Sequence, residues 1–176
     1  LGGMYADGEG VPQNFKEAVK WYREAAEQGF APAQNNLGQI YEVGNGVSKD
    51  FEEAVKWYRE AAEQGDATAQ CNLGHIYIIG ENVEQDFKEA LKWYRKAAEQ
   101  GDEQAQYNLG IMHNKGDGVL QDYVTAYVWG NIAEANGFDV KKFEGLLEKK
   151  MTAEQIAEAE ELFIEMVKKN PKLLNK

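Results

Sequence analysis

The 176-residue chain has a single cysteine, Cys71, so no disulfide can form within it. It has three prolines, too few to interrupt a composition rich in Ala, Glu, Lys and Gln, which favours helix. Cations are the minority: 19 Lys and Arg against 30 Asp and Glu give a formal net charge of -11. A nucleic-acid partner needs a basic face, and an anionic membrane surface would repel such a chain, so neither is expected. No apolar run reaches the roughly 20 residues that span a bilayer, so no membrane insertion is expected. No signal peptide is visible and the first residue is not Met, which leaves the compartment, cytoplasmic or exported, undetermined. Serine occurs once, at Ser48, and Phe51 stands where a serine acyl-transfer motif would place Lys. No nucleophile–base pair or phosphate loop is present, so the sequence does not read as an enzyme and implies no cofactor.

What the residues supply instead is a period. Trp21, Trp57, Trp93 and Trp129 are spaced by 36 residues each time, and a period of this length dictates architecture. Residues 30–65, 66–101 and 102–137 are three full units, 1–29 is a partial one, and 138–176 falls outside the period. Each full unit reads as two helices. Ala67, Ala69, Leu73, Ile76 and Tyr77 have helical spacing, and Gly80 stops that first helix. Asp86 with Glu89 opens the second as a capping box, as do Asp50 with Glu53 and Asn14 with Glu17. Phe87, Ala90, Leu91, Tyr94, Ala97 and Ala98 form its apolar face.

Gly8, Gly44, Gly80 and Gly116 follow the first helices, and Gly10, Gly46, Asn82 and Gly118 come two residues later. Asn is the non-glycine residue that best tolerates positive φ, so a left-handed backbone is expected at these sites. Gly38, Gly74 and Gly110 sit in mid-helix at a cost of about 1 kcal/mol each against Ala. A recurring cost implies a recurring benefit, expected to be close approach of a Trp or Tyr ring from a neighbouring helix. Trp57 and Trp93 are expected in the core.

These residues, in particular Asn72-Leu73-Gly74, Ile76-Tyr77, Gly80, Lys92-Trp93-Tyr94, Ala97-Ala98 and Gly101, resemble the Sel-one-like repeat, the 36-residue relative of the tetratricopeptide repeat. The likeness runs from Leu1 to Gly137, and Ala126–Ala133 is similar to the closing repeat of bacterial-type arrays. It implies an all-α fold: a right-handed α-α superhelix (solenoid) of helix-turn-helix repeats, here with a two-helix C-terminal cap. It also implies an adaptor or scaffold in protein binding. Some cysteine-rich relatives are linked to penicillin binding, but they carry paired cysteines in each repeat, which this chain lacks; a hydrolase is the least supported reading. The cap is expected from Asp139–Lys150, with Phe143, Leu146 and Leu147, and from a helix opened by a Thr152–Gln155 capping box with Ile156, Ala159, Phe163 and Met166 on one stripe. Asn170–Lys176 is expected to fray. At the other end the first half of a helix is absent, so further repeats or a truncation are expected, with self-association through Leu1, Met4 and Tyr5 as the alternative function.

Comparing the units with one another separates stacking positions from free ones. The positions that differ on the first helices form a stripe at three- and four-residue spacing. By the tetratricopeptide likeness first helices line a concave groove, so the expected surface for a protein or peptide partner is Cys71, His75, Ile79, Tyr107 and Ile111, bordered by Asn35, Gln39, Asn114 and Lys115. Cys71 and His75 share a helix face, but two ligands are too few for zinc and no metal site is expected. His113 stands where other units have Tyr and is expected in the core. Asn36, Asn72 and Asn108, with Gln34, Gln70 and Gln106, recur unchanged and are expected to bond to the backbone of an adjoining turn.

Overall fold

First and second helices alternate along the chain because each first helix runs into a glycine that L-residues cannot replace cheaply. The first helices are α1 (Gly2–Asp7), α3 (Ala31–Val43), α5 (Ala67–Ile79) and α7 (Glu103–Lys115), each closed by a left-handed glycine, at Gly8, Gly44, Gly80 and Gly116. The second helices are α2 (Phe15–Glu27), α4 (Phe51–Glu63), α6 (Phe87–Ala98) and α8 (Tyr123–Ala135). Two more follow, α9 (Lys141–Leu147) and α10 (Ala153–Lys169), then a short 3-10 helix over Pro171–Leu173. The structure is a computed structural model and describes residues 1–80 and 83–175, among which the fold is all-helical. Gly10, Gly46 and Gly118 have positive φ as expected; Asn82 lies outside the described residues. The chain divides into two compact units, Leu1–Gln85 and Asp86–Lys176.

The second helices start on side-chain caps. Asn14, Asp50 and Asp86 each accept from the two backbone N–H groups that lie two and three residues on. The reciprocal half of the expected capping box is not made there, and at Asn14 and Asp50 the cap's own N–H is already engaged. Asn14 N donates to the Tyr5 carbonyl at 2.8 Å and Asp50 N to that of Tyr41 at 2.9 Å. The third-position glutamates pair with lysines instead, Glu17 with Lys20, Glu53 with Lys56 and Glu89 with Lys92. Among the described residues, both halves of the box are present only at Thr152–Gln155.

In the first unit the core joins Val19, Leu37, Ile40 and Trp57. Gly38 in mid-helix and Gly2 at the start of α1 sit under tyrosine, not tryptophan. A Cβ at Gly38 would fall 2.7 Å from the Tyr58 ring, and one at Gly2 would fall 2.9 Å from Tyr22. The Tyr58 ring is fully buried and cannot yield. Gly38→Ala is therefore expected to destabilise by about 1–3 kcal/mol through overpacking, although Ala is the better helix former by about 1 kcal/mol. A melting temperature raised by the substitution would reverse this assignment.

In the second unit the glycine of α7 meets a different ring. The last repeat has Trp129-Gly130 where earlier ones have Trp-Tyr. Phe143 of α9 fills the space: a Cβ at Gly110 would lie 3.0 Å from its ring, and one at Gly130 would lie 3.4 Å away. Ala159 of α10 is buried, while Ile156, Phe163 and Met166 are half-buried.

The final residues are docked rather than frayed. Leu173 is buried, and its carbonyl accepts from Gln106 Nε2 at 2.8 Å and Asn136 Nδ2 at 2.7 Å. Asn170 Nδ2 donates to the Glu99 carbonyl and Asn175 Nδ2 to that of Gly101. Local polar groups that need partners anchor this tail, a need that hydrophobic periodicity does not reveal.

The recurring glutamines bond to backbone as expected: Gln34, Gln70 and Gln106 donate to the carbonyls of Ala26, Ala62 and Ala98. The asparagines do not. Asn72 donates to the Asn35 side chain at 3.0 Å, and Asn108 accepts from Gln104.

His113 is buried, as expected, and its Nδ1 has no hydrogen-bond partner. In the first unit Arg23 and Arg59 donate to the hydroxyls of Tyr41 and Tyr77, the residues that occupy its place in earlier repeats. Burial lowers the His113 pKa below the ordinary 6.5; Asp122 opposes this and Arg95 adds to it. The unfolded chain thus takes up this proton at higher pH than the folded one. The stabilisation is complete above pH 6.5 and is lost as pH falls below it. His113→Tyr is expected to flatten the decline of the second unit's melting temperature between about pH 7.5 and about pH 5.5. An unchanged slope would assign the decline to other groups.

Candidate functional site

The first helices bury one face and leave the other open. On α3 the residues Ala33, Gln34, Leu37, Gly38 and Ile40 are buried, which leaves Gln39 and Val43 exposed and Asn35 half-buried on the opposite side. On α5, His75 and Ile79 are exposed. The Asn72–Asn35 bond ties these two open faces together.

Between α1 and α3 the faces part, leaving a pocket of about 500 Å³ lined by Asp7, Tyr22, Asn36, Gln39, Val43 and Asn45, among others. Local structure explains it. With no side chain at Gly2, the Tyr22 ring packs directly against the α1 backbone and reaches the pocket. Burial, with the nearby Asp7 carboxylate, raises the Tyr22 phenol pKa, so it remains a neutral donor. One repeat on, Tyr58 makes the same crossing, and its hydroxyl donates to Glu42 Oε2 at 2.7 Å. Burial, then that hydrogen bond and charge, holds its phenol far above the ordinary value. The pocket lies at the carboxyl ends of α1 and α3, where the last-turn carbonyls give a negative potential.

The sequence-derived surface is only partly available. Asn35, Gln39, His75 and Ile79 lie on the open face of the first unit. Cys71 does not; although it shares a helix face with His75, it is buried, 7% exposed. In the second unit Lys115 is exposed and Ile111 half-buried, but Tyr107 is half-buried under the chain's own rings. Its ring centroid is 4.8 Å from Phe138 and 5.5 Å, edge-on, from Phe143. Asn114 accepts from Lys150 Nζ at 3.2 Å. Phe143 and Lys150 are each one period beyond their partners, so α9 takes the place of a further first helix and covers this part of α7.

Asp7, Tyr22, Asn36 and Asn45 escaped the comparison of full units, which did single out Val43 as a differing position. Asp7 lies one period before Val43, Ile79 and Lys115, a position that differs in every repeat, so including the partial first unit reveals it. Tyr22 and Asn36 recur and are masked by their role in packing. Leu1 and Met4 are exposed and Tyr5 half-buried on α1. Among the described residues no three His, Cys, Asp or Glu side chains converge as a metal requires, and no helix is long and apolar enough to cross a membrane.

The family model described as Sel1 repeat matches residues 1–30, 31–66, 67–102 and 103–138. Among solved structures, a Sel1 repeat protein from Oxalobacter formigenes is 45% identical with a TM-score of 0.72, over 78% of this chain and 56% of that one. The c5321 protein, a protective antigen present in uropathogenic Escherichia coli strains and displaying an SLR fold, is 33% identical with a TM-score of 0.57, over 98% of this chain and 45% of that one. Cysteine-rich protein B of Helicobacter pylori, 23% identical with a TM-score of 0.57 over 72% of this chain and 91% of that one, shares the fold. The chain thus spans about half the length of the first two. A comparison with curated protein sequences found no match.

Proposed function

We propose, for a chain that belongs to the Sel1 repeat family, that it is a non-catalytic adaptor binding a protein or peptide partner along the open face of the first helices in its first unit. Proteins of this family generally mediate protein–protein interactions. The observation that carries the reading is the pocket between α1 and α3, continued on the same unit by exposed Gln39, His75 and Ile79. Apolar Val43 and Ile79 beside amide side chains give the mixed character of a recognition surface. In the second unit Tyr107 and Asn114 are engaged by the chain's own cap, which favours the first unit as the receiving surface.

Peptides selected against the immobilised protein from a random display library test this. Their binding is expected to weaken about tenfold or more in a Gln39→Ala, His75→Ala, Ile79→Ala variant that melts at the wild-type temperature. Affinity unchanged by all three substitutions would overturn the proposal.

A further inference from the structure

The charge of the first unit is distributed unevenly. Residues 1–85 carry 14 acidic and six basic side chains. Lys16, Lys20 and Arg23 are on α2, Lys56 and Arg59 on α4, and Lys49 in the loop between α3 and α4. The first helices α1, α3 and α5 carry no Lys or Arg at all. Most of the cations are already engaged: Lys20 and Lys56 in ion pairs, Arg23 and Arg59 on tyrosine hydroxyls. The pocket between α1 and α3 therefore has no positive group in its lining. Its one charged lining residue is Asp7, which is exposed and makes no ion pair among the described residues.

Three features of this pocket add in the same direction. The Asp7 carboxylate is a free acceptor at its edge. The carboxyl ends of α1 and α3 turn the negative ends of their backbone dipoles to the same place, which favours a cation, even though the Tyr5, Ala6 and Tyr41 carbonyls already accept from Asn14, Gln13 and Asp50. The amide side chains of Asn36, Gln39 and Asn45 supply oxygen acceptors beside them. Tyr22, Ile40 and Val43 offer apolar surface to a methylene stem.

We propose that this pocket receives a lysine or arginine side chain of the partner protein, its cationic head against Asp7 and its stem along Tyr22 and Val43. The inference rests on the adaptor reading and names the chemistry of the partner. Asp7 is exposed, so the contact weakens as salt rises. Its effect lies at the upper end of what a surface ion pair gives, with the amides of Asn36, Gln39 and Asn45 supporting it.

The test uses the same display selection. Peptides enriched on the wild-type protein are expected to share a Lys or Arg at one position. A synthetic peptide from the enriched set is expected to bind about fivefold more weakly to Asp7→Asn, and equally so when its basic residue is replaced by norleucine. An Asp7→Lys protein is expected to recover affinity for the same peptide carrying Glu at that position. Enriched peptides with no basic residue that still lose binding on Gln39→Ala, His75→Ala, Ile79→Ala would sink this inference and leave the adaptor reading standing. Basic peptides indifferent to Asp7→Asn would do the same. Peptides indifferent to every one of these substitutions, or a selection with no binders, would overturn both.

Discussion

Trp57→Ala is expected to lower the stability of the first unit by about 3–5 kcal/mol, the range for deleting a buried large aromatic side chain. Trp57 is 7% exposed and packs with Val19, Leu37 and Ile40, residues drawn from α2 and α3, so its loss leaves a cavity bordered by three helices. The Trp57 Nε1 is buried with no hydrogen-bond partner. The indole therefore contributes through its area and not through its N–H. Trp57→Phe is expected to cost far less, about 1 kcal/mol, because it keeps most of the ring and removes an unpaired donor. Denaturant unfolding of the two variants measures both. Equal losses would show that the N–H contributes after all, and no loss in the alanine variant would remove Trp57 from the core.

Phe143→Ala is expected to cost the second unit about 3–4 kcal/mol. Its ring closes three contacts at once: the Gly110 backbone, the Gly130 backbone and the edge-on packing with Tyr107. The two glycines distinguish themselves by distance. A Cβ at Gly110 meets the Ala126 carbonyl as well as the ring at 3.0 Å, whereas at Gly130 the ring is at ordinary contact, 3.4 Å. Gly110→Ala is thus expected to destabilise, while Gly130→Ala is expected to be near neutral or stabilising through helix propensity. Thermal melts followed by near-ultraviolet circular dichroism report both the stability and the environment of Tyr107. Identical effects at the two glycines would contradict the packing of Phe143.

The fold was legible because a 36-residue repeat states its own geometry four times. Tryptophan spacing marked the units, and glycines with positive φ marked where each first helix stops. The glycine at position 38 announced a ring overhead, but propensity could not say which ring, and it is Tyr58 rather than tryptophan. Cap chemistry was half legible: Asp50 accepts as expected, yet its own N–H finds the Tyr41 carbonyl, a contact set by how the helices pack. The site was harder to read. Variation between repeats finds positions that stacking leaves free, and it led to Gln39, His75 and Ile79. It also selected Cys71 and Tyr107, which the fold encloses or covers, because the eventual neighbours of a residue are not written in its own repeat. The closing residues looked polar and unpatterned, and their docking depends on amides that lie one and two periods earlier.

Those closing residues solve a problem that every linear array meets at its last member. In the first unit the Gln34 amide donates to the Glu60 carboxylate and accepts from Gln64. Two periods on, Ile132 stands where Glu60 would, and the Leu173 carbonyl takes up the Gln106 amide in its place. The substitute acceptor is main chain, so no single amino-acid change can delete it. Only a change in the path of the backbone, such as loss of the turn at Pro171–Leu173, would leave that amide without its terminal partner.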